Sequence, residues 1–241
     1  MSEPLFLFDH LGAPGVGDTV TLAGEEGRHA VVVRRMRPGE RVVLSDGRGH
    51  GLAGTVSRVT KASLDLVVEE IRHAPEPVLR YVVVQALAKG DRAELACEML
   101  TEVGVAEIVP WQASRSVVRW PPDRQAKARA RWQATVREAA KQSRRLRIPA
   151  VGPLTRTDEV SARLQQADLA LVLHEEATDP LGSLALPSAG EVLIVVGPEG
   201  GISPEELAAF GAVGARPVSL GAGVLRTSTA GVAALAALTL R

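Results

Sequence analysis

Val196-Gly197-Pro198-Glu199-Gly200-Gly201-Ile202-Ser203 closes one apolar run of this chain, and Leu220-Gly221-Ala222-Gly223-Val224-Leu225-Arg226 closes a second. Glu191 to Val196 is a short run of β-branched and aliphatic residues, the pattern of a strand buried on both faces. Gly197, Gly200 and Gly201 then permit positive φ and close approach of a ligand to bare backbone. Ser203, Pro204 and Glu206 read as a helix start: serine as N-cap, proline at the first helical position, glutamate three residues after the cap. Pro217 to Leu220 and the alanine- and leucine-rich Thr227 to Leu240 repeat this strand-turn-helix plan. Both loops are expected to aim backbone amides into one cleft at strand ends, where α/β sheets bind ligands.

The loops do not match the common phosphate signatures. A P-loop needs Gly-Lys-Ser/Thr after its glycines, and neither turn has the lysine. Gly221-Ala222-Gly223 begins like a dinucleotide fingerprint, but Arg226 stands where the third glycine belongs and no βαβ unit follows. On the residues alone, a ligand pocket and a pair of tight turns both remain open.

Upstream, the punctuation predicts two domains. Thr19 to Leu22, Arg41 to Leu44, Gly51 to Val59 and Ser63 to Val68 are short β-rich runs separated by turns, the spacing of a small β-barrel over residues 1–72. Arg72 to Pro77, with two prolines, reads as a linker. From 78 to 241 strands alternate with helices: Tyr81 to Ala86, a helix near Arg92 to Val103, Ala106 to Pro110, a helical stretch within Pro122 to Leu146, and Leu169 to His174. This α/β alternation predicts a mainly parallel sheet.

Composition narrows the function classes. A chain of 241 residues that is 46% hydrophobic can bury a sizeable core. Cys97 is the lone cysteine, so no internal disulfide or cysteine metal cluster forms, as suits a reducing cytosol. No apolar run spans a bilayer and no leader pattern opens the chain, so a cytoplasmic protein is expected. His10, His29, His50, His73 and His174 match no zinc spacing, and no metal is predicted. Net charge is zero, yet eleven basic residues lie between Arg115 and Arg147 against Asp123 and Glu138 alone. From Ile148 onward ten acidic residues outnumber five arginines. A second basic cluster, Arg28, Arg34, Arg35, Arg37 and Arg41, lies near the N-terminus. Such asymmetry points to nucleic acid, with a solvated helix face as the plainer alternative. Aromatic residues make up only 3%, which argues against a stacking platform as the main RNA device. Trp111, Trp120 and Trp132 read first as core, with base stacking as the lesser option.

GPEGGIS followed by SLGAGVLRTSTA resembles the paired C-terminal motifs, GPEGG(F/L)S and LGxRILRxETA, of the RsmE family of ribosomal RNA methyltransferases. The resemblance continues through Lys89-Gly90-Asp91-Arg92 with Glu94, Thr101 to Val105, Arg115-Ser116, and Glu138 to Ser143 with Pro149. At the N-terminus it includes His29, Arg35, Gly39 and Asp46-Gly47. Gly223 and Ser228 replace an arginine and a glutamate of the family pattern, and an early arginine is absent from residues 1–6.

What the resemblance implies is specific. The first domain is expected to be PUA-like and the second a SPOUT methyltransferase domain threaded as a trefoil knot, acting as a homodimer. The cofactor is S-adenosylmethionine, held by His174, Gly197, Gly201, Ile202, Leu220, Gly221 and Leu225. The partner is 16S ribosomal RNA or the small ribosomal subunit, contacted by Arg28, Arg34, Arg35, Lys89, Arg115 and Arg144. The target atom is ring nitrogen 3 of a uridine, a poor nucleophile until its imide proton leaves, so methyl transfer needs positioning and stabilisation of the deprotonated base. Arg226 is the leading catalytic candidate, its guanidinium placed to stabilise charge developing on the uracil ring, with a salt bridge or phosphate clamp as its alternative. Glu199 is expected to accept backbone amides. A ribose 2′-oxygen methyltransferase and an RNA-binding relative without catalysis are the competing readings.

Overall fold

A computed structural model describes residues 3–8 and 11–240. The chain divides into two compact units: 1–76 with 140–148, and 77–139 with 149–241. The nine-residue segment 140–148, within the span expected for the second domain, groups with the first.

The first unit contains β1 (Leu5–Leu7), β2 (Thr19–Leu22), α1 (Gly24–Arg28) running into a π-helical turn (His29–Val33), β3 (Arg41–Ser45), β4 (His50–Val59) and β5 (Leu64–His73). The strands form one sheet in the order β1-β3-β4-β5-β2, antiparallel except for β1 on β3. β4 and β5 shift register twice, which bends the ladder. Phe6, Leu22, Leu44, Leu52, Leu64 and Leu66 pack on one face, and Leu5, Leu7, Val43 and Ala53 meet Leu146 and Ile148 on the other. That second face explains why 140–148 belongs here: it covers apolar residues that alternate along β1 and β3.

The second unit contains β6 (Leu79–Ala86), α2 (Arg92–Val103), β7 (Glu107–Trp111), most of α3 (Gln125–Gln142), β8 (Ala150–Val151), α4 (Thr157–Gln166), β9 (Leu169–Leu173), β10 (Gly190–Val196), α5 (Pro204–Ala212), β11 (Arg216–Val218) and α6 (Thr227–Thr239). Its six strands are ordered β11-β9-β10-β6-β7-β8 and every pair is parallel. The near-continuous apolar runs follow from burial on both faces. Val82, Val84, Leu193 and Val195 pack with Val160, Leu164 and Phe210 of α4 and α5. On the alternate face, Val83 and Val196 lie beside α6. At Gly231 of α6 an added Cβ would lie 3.2 Å from Val196 and 3.4 Å from Leu100, so glycine here lets the helix sit close against the sheet.

Because all strands are parallel, the loops after β6, β7, β9, β10 and β11 emerge on one edge. At the opposite edge Arg163 donates to both carboxylate oxygens of Glu107 at 2.8 and 2.6 Å, and these bonds hold its guanidinium above the ordinary arginine range. Among the described residues no helix is long and apolar enough to cross a membrane.

Candidate active site

The two glycine loops border one cleft of about 300 Å³. Gly197, Gly201 and Ile202 from the loop after β10, and Leu225, Arg226 and Thr227 from the second loop, form its walls with Arg92, Glu175 and Glu199. A smaller adjoining hollow is lined by His174, Leu220 and Gly221 and shares Leu225 with the cleft. The seven residues expected to hold the cofactor thus converge on the same strand ends, split between two adjoining spaces.

The first loop is held open by its backbone. Gly201 has φ +71°, a conformation that disfavours side chains, and a Cβ on Gly197 would approach Ile202 Cγ1 to 2.8 Å. The helix start read from the sequence is present: Ser203 Oγ accepts from Glu206 N at 3.2 Å and the Glu206 carboxylate accepts from Ser203 N at 3.1 Å. The buried Glu206 does more than cap. Its Oε1 accepts from Ser114 N at 2.8 Å and from Thr157 Oγ1 at 2.9 Å, tying the loop after β7 and the start of α4 to this turn. Arg115, next along, donates from Nη1 to Gly200 O at 3.2 Å.

The two glycine loops are joined by a buried polar relay. Thr227 Oγ1 donates to Gly197 O at 2.8 Å and accepts from Gln85 Nε2 at 3.0 Å. Gln85 is fully buried at the end of β6, and its Oε1 has no partner. Arg226 occupies the N-cap position of α6 and is exposed. Sequence reasoning missed Gln85, although one amide in an otherwise apolar strand signals a buried group needing a partner. It also missed Arg92, Glu175 and Val224 as lining residues. Glu199 accepts a backbone amide as expected, but from Lys89 across the cleft at 3.0 Å rather than from its own turn, and Arg92 Nη1 lies 3.5 Å from the same oxygen.

The candidate RNA contacts divide between the units. Lys89 and Arg115 are exposed beside the cleft loops. Arg28, Arg34, Arg35 and Arg144 are exposed on the first unit, where Arg34 and Arg144 line a small hollow with His29 and Lys141. Arg35 and Arg144 hold positive φ, 54° and 56°, unusual for residues with a Cβ. Part of the basic run serves structure instead. Arg129 donates to Val151 O at 2.9 and 2.7 Å, Arg147 to Ala74 O at 2.9 Å, and Lys141 meets Glu26 at 2.9 Å. Arg145 is partly buried, which pushes its guanidinium below the ordinary range. Cys97 is buried, and burial, reinforced by Glu94, pushes its thiol well up. Among the described residues, which exclude His10, no group of three or more His, Cys, Asp or Glu could hold a metal.

A parallel sheet carrying two glycine loops at one edge is joined in one chain to a β-rich unit, and both units match RNA methyltransferase families. A family model described as an RNA methyltransferase domain matches residues 74–239, and one described as an RNA methyltransferase PUA domain matches residues 22–69. The ribosomal RNA small subunit methyltransferase E of Mycobacterium bovis is 45% identical, covering 98% of this chain and 91% of that protein. The enzyme of the same name from Bacillus subtilis is 31% identical over 91% and 89%. A crystal structure of ribosomal RNA small subunit methyltransferase E from Neisseria gonorrhoeae bound to S-adenosyl methionine superposes with a TM-score of 0.86, at 32% identity, covering 99% of this chain and 98% of that one. The chain belongs to the ribosomal RNA small subunit methyltransferase E family.

Proposed function

We propose that this protein transfers a methyl group from S-adenosylmethionine to ring nitrogen 3 of a uridine in small-subunit ribosomal RNA. The observation that carries the reading is the convergence of both glycine loops on one cleft with Arg226 in its wall. The cleft's volume falls at the lower end of small-molecule sites. Its chemistry fits the cofactor: Leu173, Val196, Ile202 and Leu225 offer apolar walls for an adenine, and Arg92 offers a cation for a carboxylate. Glu175 and Glu199 offer anions near a sulfonium and an ammonium. When bound, the cofactor supplies an electrophilic methyl group.

The chain's own residues perform the rest. Backbone at Gly197 and Gly201 and the walls at Ile202 and Leu225 orient the donor, while His174, Leu220 and Gly221 border the extension of the site. Arg226 stabilises negative charge on the uracil ring and its carbonyl oxygens as the imide proton passes to solvent water. Arg28, Arg34, Arg35, Lys89, Arg115 and Arg144 bind RNA phosphates, a contribution that weakens with salt. The largely uncharged α6 supports a homodimer, and the insertion of β10 between β6 and β9 is compatible with a trefoil-knotted C-terminal chain.

The test incubates undermodified small subunits with the purified protein and labelled S-adenosylmethionine, followed by nucleoside mass spectrometry. Labelled 3-methyluridine is the expected product. Label on a ribose would overturn the target atom, and no label despite cofactor binding would overturn the reading.

A further inference from the structure

A second hollow, of about 170 Å³, lies on the other side of the chain segment that walls the cleft. Arg92 lines the cleft, whereas Gly90, Ala93 and Glu94 line this hollow. The Lys89 amide bond to Glu199 ties the same segment to the first glycine loop. The opposite walls carry Trp120, Arg131 and Trp132.

The three tryptophans have different environments. Trp111 is fully buried and Trp132 is 2% exposed, so both are core. Trp120 is only half-buried and stands edge-to-face with Trp132, ring centres 5.3 Å apart. Its backbone is pinned on both sides: Trp120 N donates to Gln112 Oε1 at 3.2 Å and Trp120 O accepts from Gln125 Nε2 at 3.3 Å. The backbone bonds fix the residue's place in the chain, and the contact with Trp132 positions its ring. Glu94 Oε1 meets Arg131 Nε at 3.0 Å, with the Glu94 side chain 21% exposed and that of Arg131 74% exposed. Arg124, Lys127 and Arg131 follow one another at helical spacing along one stripe of α3 and its entry, all exposed.

An aromatic ring, a carboxylate acceptor and a cationic stripe match one ligand chemistry. We infer that this hollow receives an unpaired nucleobase of the RNA substrate, stacked on Trp120, with Glu94 accepting a base N–H and Arg124, Lys127 and Arg131 on flanking phosphates. Single-stranded RNA is recognised by splayed bases on aromatic rings and guanidinium planes, with the backbone held by cations. A second copy of this chain, neutral overall, offers no matching excess of negative charge. The inference rests on the proposed RNA substrate and assigns that substrate a second point of attachment, separated from the cleft by the first turn of α2.

The experiment compares wild type, Trp120→Ala, Trp120→Phe and Glu94→Gln. Affinity for a labelled small-subunit RNA fragment is read by fluorescence polarisation, S-adenosylmethionine affinity by calorimetry, and mass by sedimentation. Trp120→Ala is expected to weaken RNA binding by about 5- to 150-fold, the range of one base-aromatic stack, with cofactor affinity within about twofold. Trp120→Phe restores most of the loss, and an abasic nucleotide at one position of the fragment costs wild type the same factor while costing Trp120→Ala nothing. Unchanged RNA affinity in Trp120→Ala overturns the inference. So does an equal loss of RNA and cofactor binding, which marks Trp120 as structural, or a change in oligomeric state without a change in RNA affinity. If wild type binds the fragment yet methylates no small subunit, the proposed reaction fails while the Trp120 comparison still decides the hollow.

Discussion

Thr227→Val tests how the two glycine loops are held together. Valine has the shape of threonine without its hydroxyl, so packing is kept and two hydrogen bonds are lost: Thr227 Oγ1 to Gly197 O at 2.8 Å and Gln85 Nε2 to Thr227 Oγ1 at 3.0 Å. A buried polar group left unpaired costs about 1–3 kcal/mol. Gly197 O sits at the cleft wall, where water reaches it in part. Gln85 Nε2 keeps longer contacts to Ala86 O at 3.3 Å and Thr227 O at 3.4 Å, so neither group meets the full penalty. A combined loss of about 2 kcal/mol follows, or about 4–8 °C in melting temperature for a chain of this size. The lost bonds join the loop carrying Gly197 to the helix start beside Arg226, so cofactor affinity should fall about tenfold, or 1.4 kcal/mol. Thr227→Ser keeps the hydroxyl and should behave nearly as wild type. The assays are differential scanning fluorimetry and calorimetric titration of S-adenosylmethionine. A Thr227→Val protein whose melting temperature and cofactor affinity both match wild type would refute the relay.

Arg226→Ala should lower the methylation rate by about 100-fold or more, the scale of a lost charge-stabilising donor, with cofactor affinity changed only a few-fold; an unchanged single-turnover rate would remove Arg226 from catalysis. Glu206→Ala strands three donors, Ser114 N, Thr157 Oγ1 and Ser203 N, and should cost about 3 kcal/mol, or about 6–12 °C, with Glu206→Gln recovering part because only its carbonyl oxygen still accepts. Thermal melts of both variants check this. In the first unit, hydrogen bonds from Arg41 and then Arg72 hold Glu3 below its ordinary value of 4.5, while Thr55 and Arg72 do the same for Glu69 and Glu70. A carboxylate with a lowered folded-state pKa stabilises above its unfolded value and loses that contribution as pH falls through the folded one. Stability should therefore decline as pH drops below 4.5, and Glu3→Gln should flatten the decline in pH-dependent melts.

Residues close in sequence carried most of the fold. The apolar run Glu191 to Val196 became β10, Ser203-Pro204-Glu206 became a capping box, and the helix expected near Arg92 to Val103 became α2 at those bounds. Weaker local signals were missed. β1 has three residues and β8 two, each too short to show a period, and α4 was not read from its sequence. The basic run between Arg115 and Arg147 is visible as composition, but its use for Val151, Ala74 and Glu26 depends on residues distant in sequence.

By itself the sequence determined where strands stop and helices start, because backbone freedom at glycine, capping at Ser203 and apolar alternation are local energies. It also determined the family, through motifs spread along the chain. Only the tertiary structure decided which loops share a cleft, that Gln85 and Thr227 bind Gly197 to α6, that Glu199 reaches Lys89, and that Trp120 alone of the three tryptophans escapes full burial. Those contacts join residues 30 to 142 positions apart. Their energies exist only once strand order brings the ends of β6 and β10 side by side, so no local pattern could have carried them.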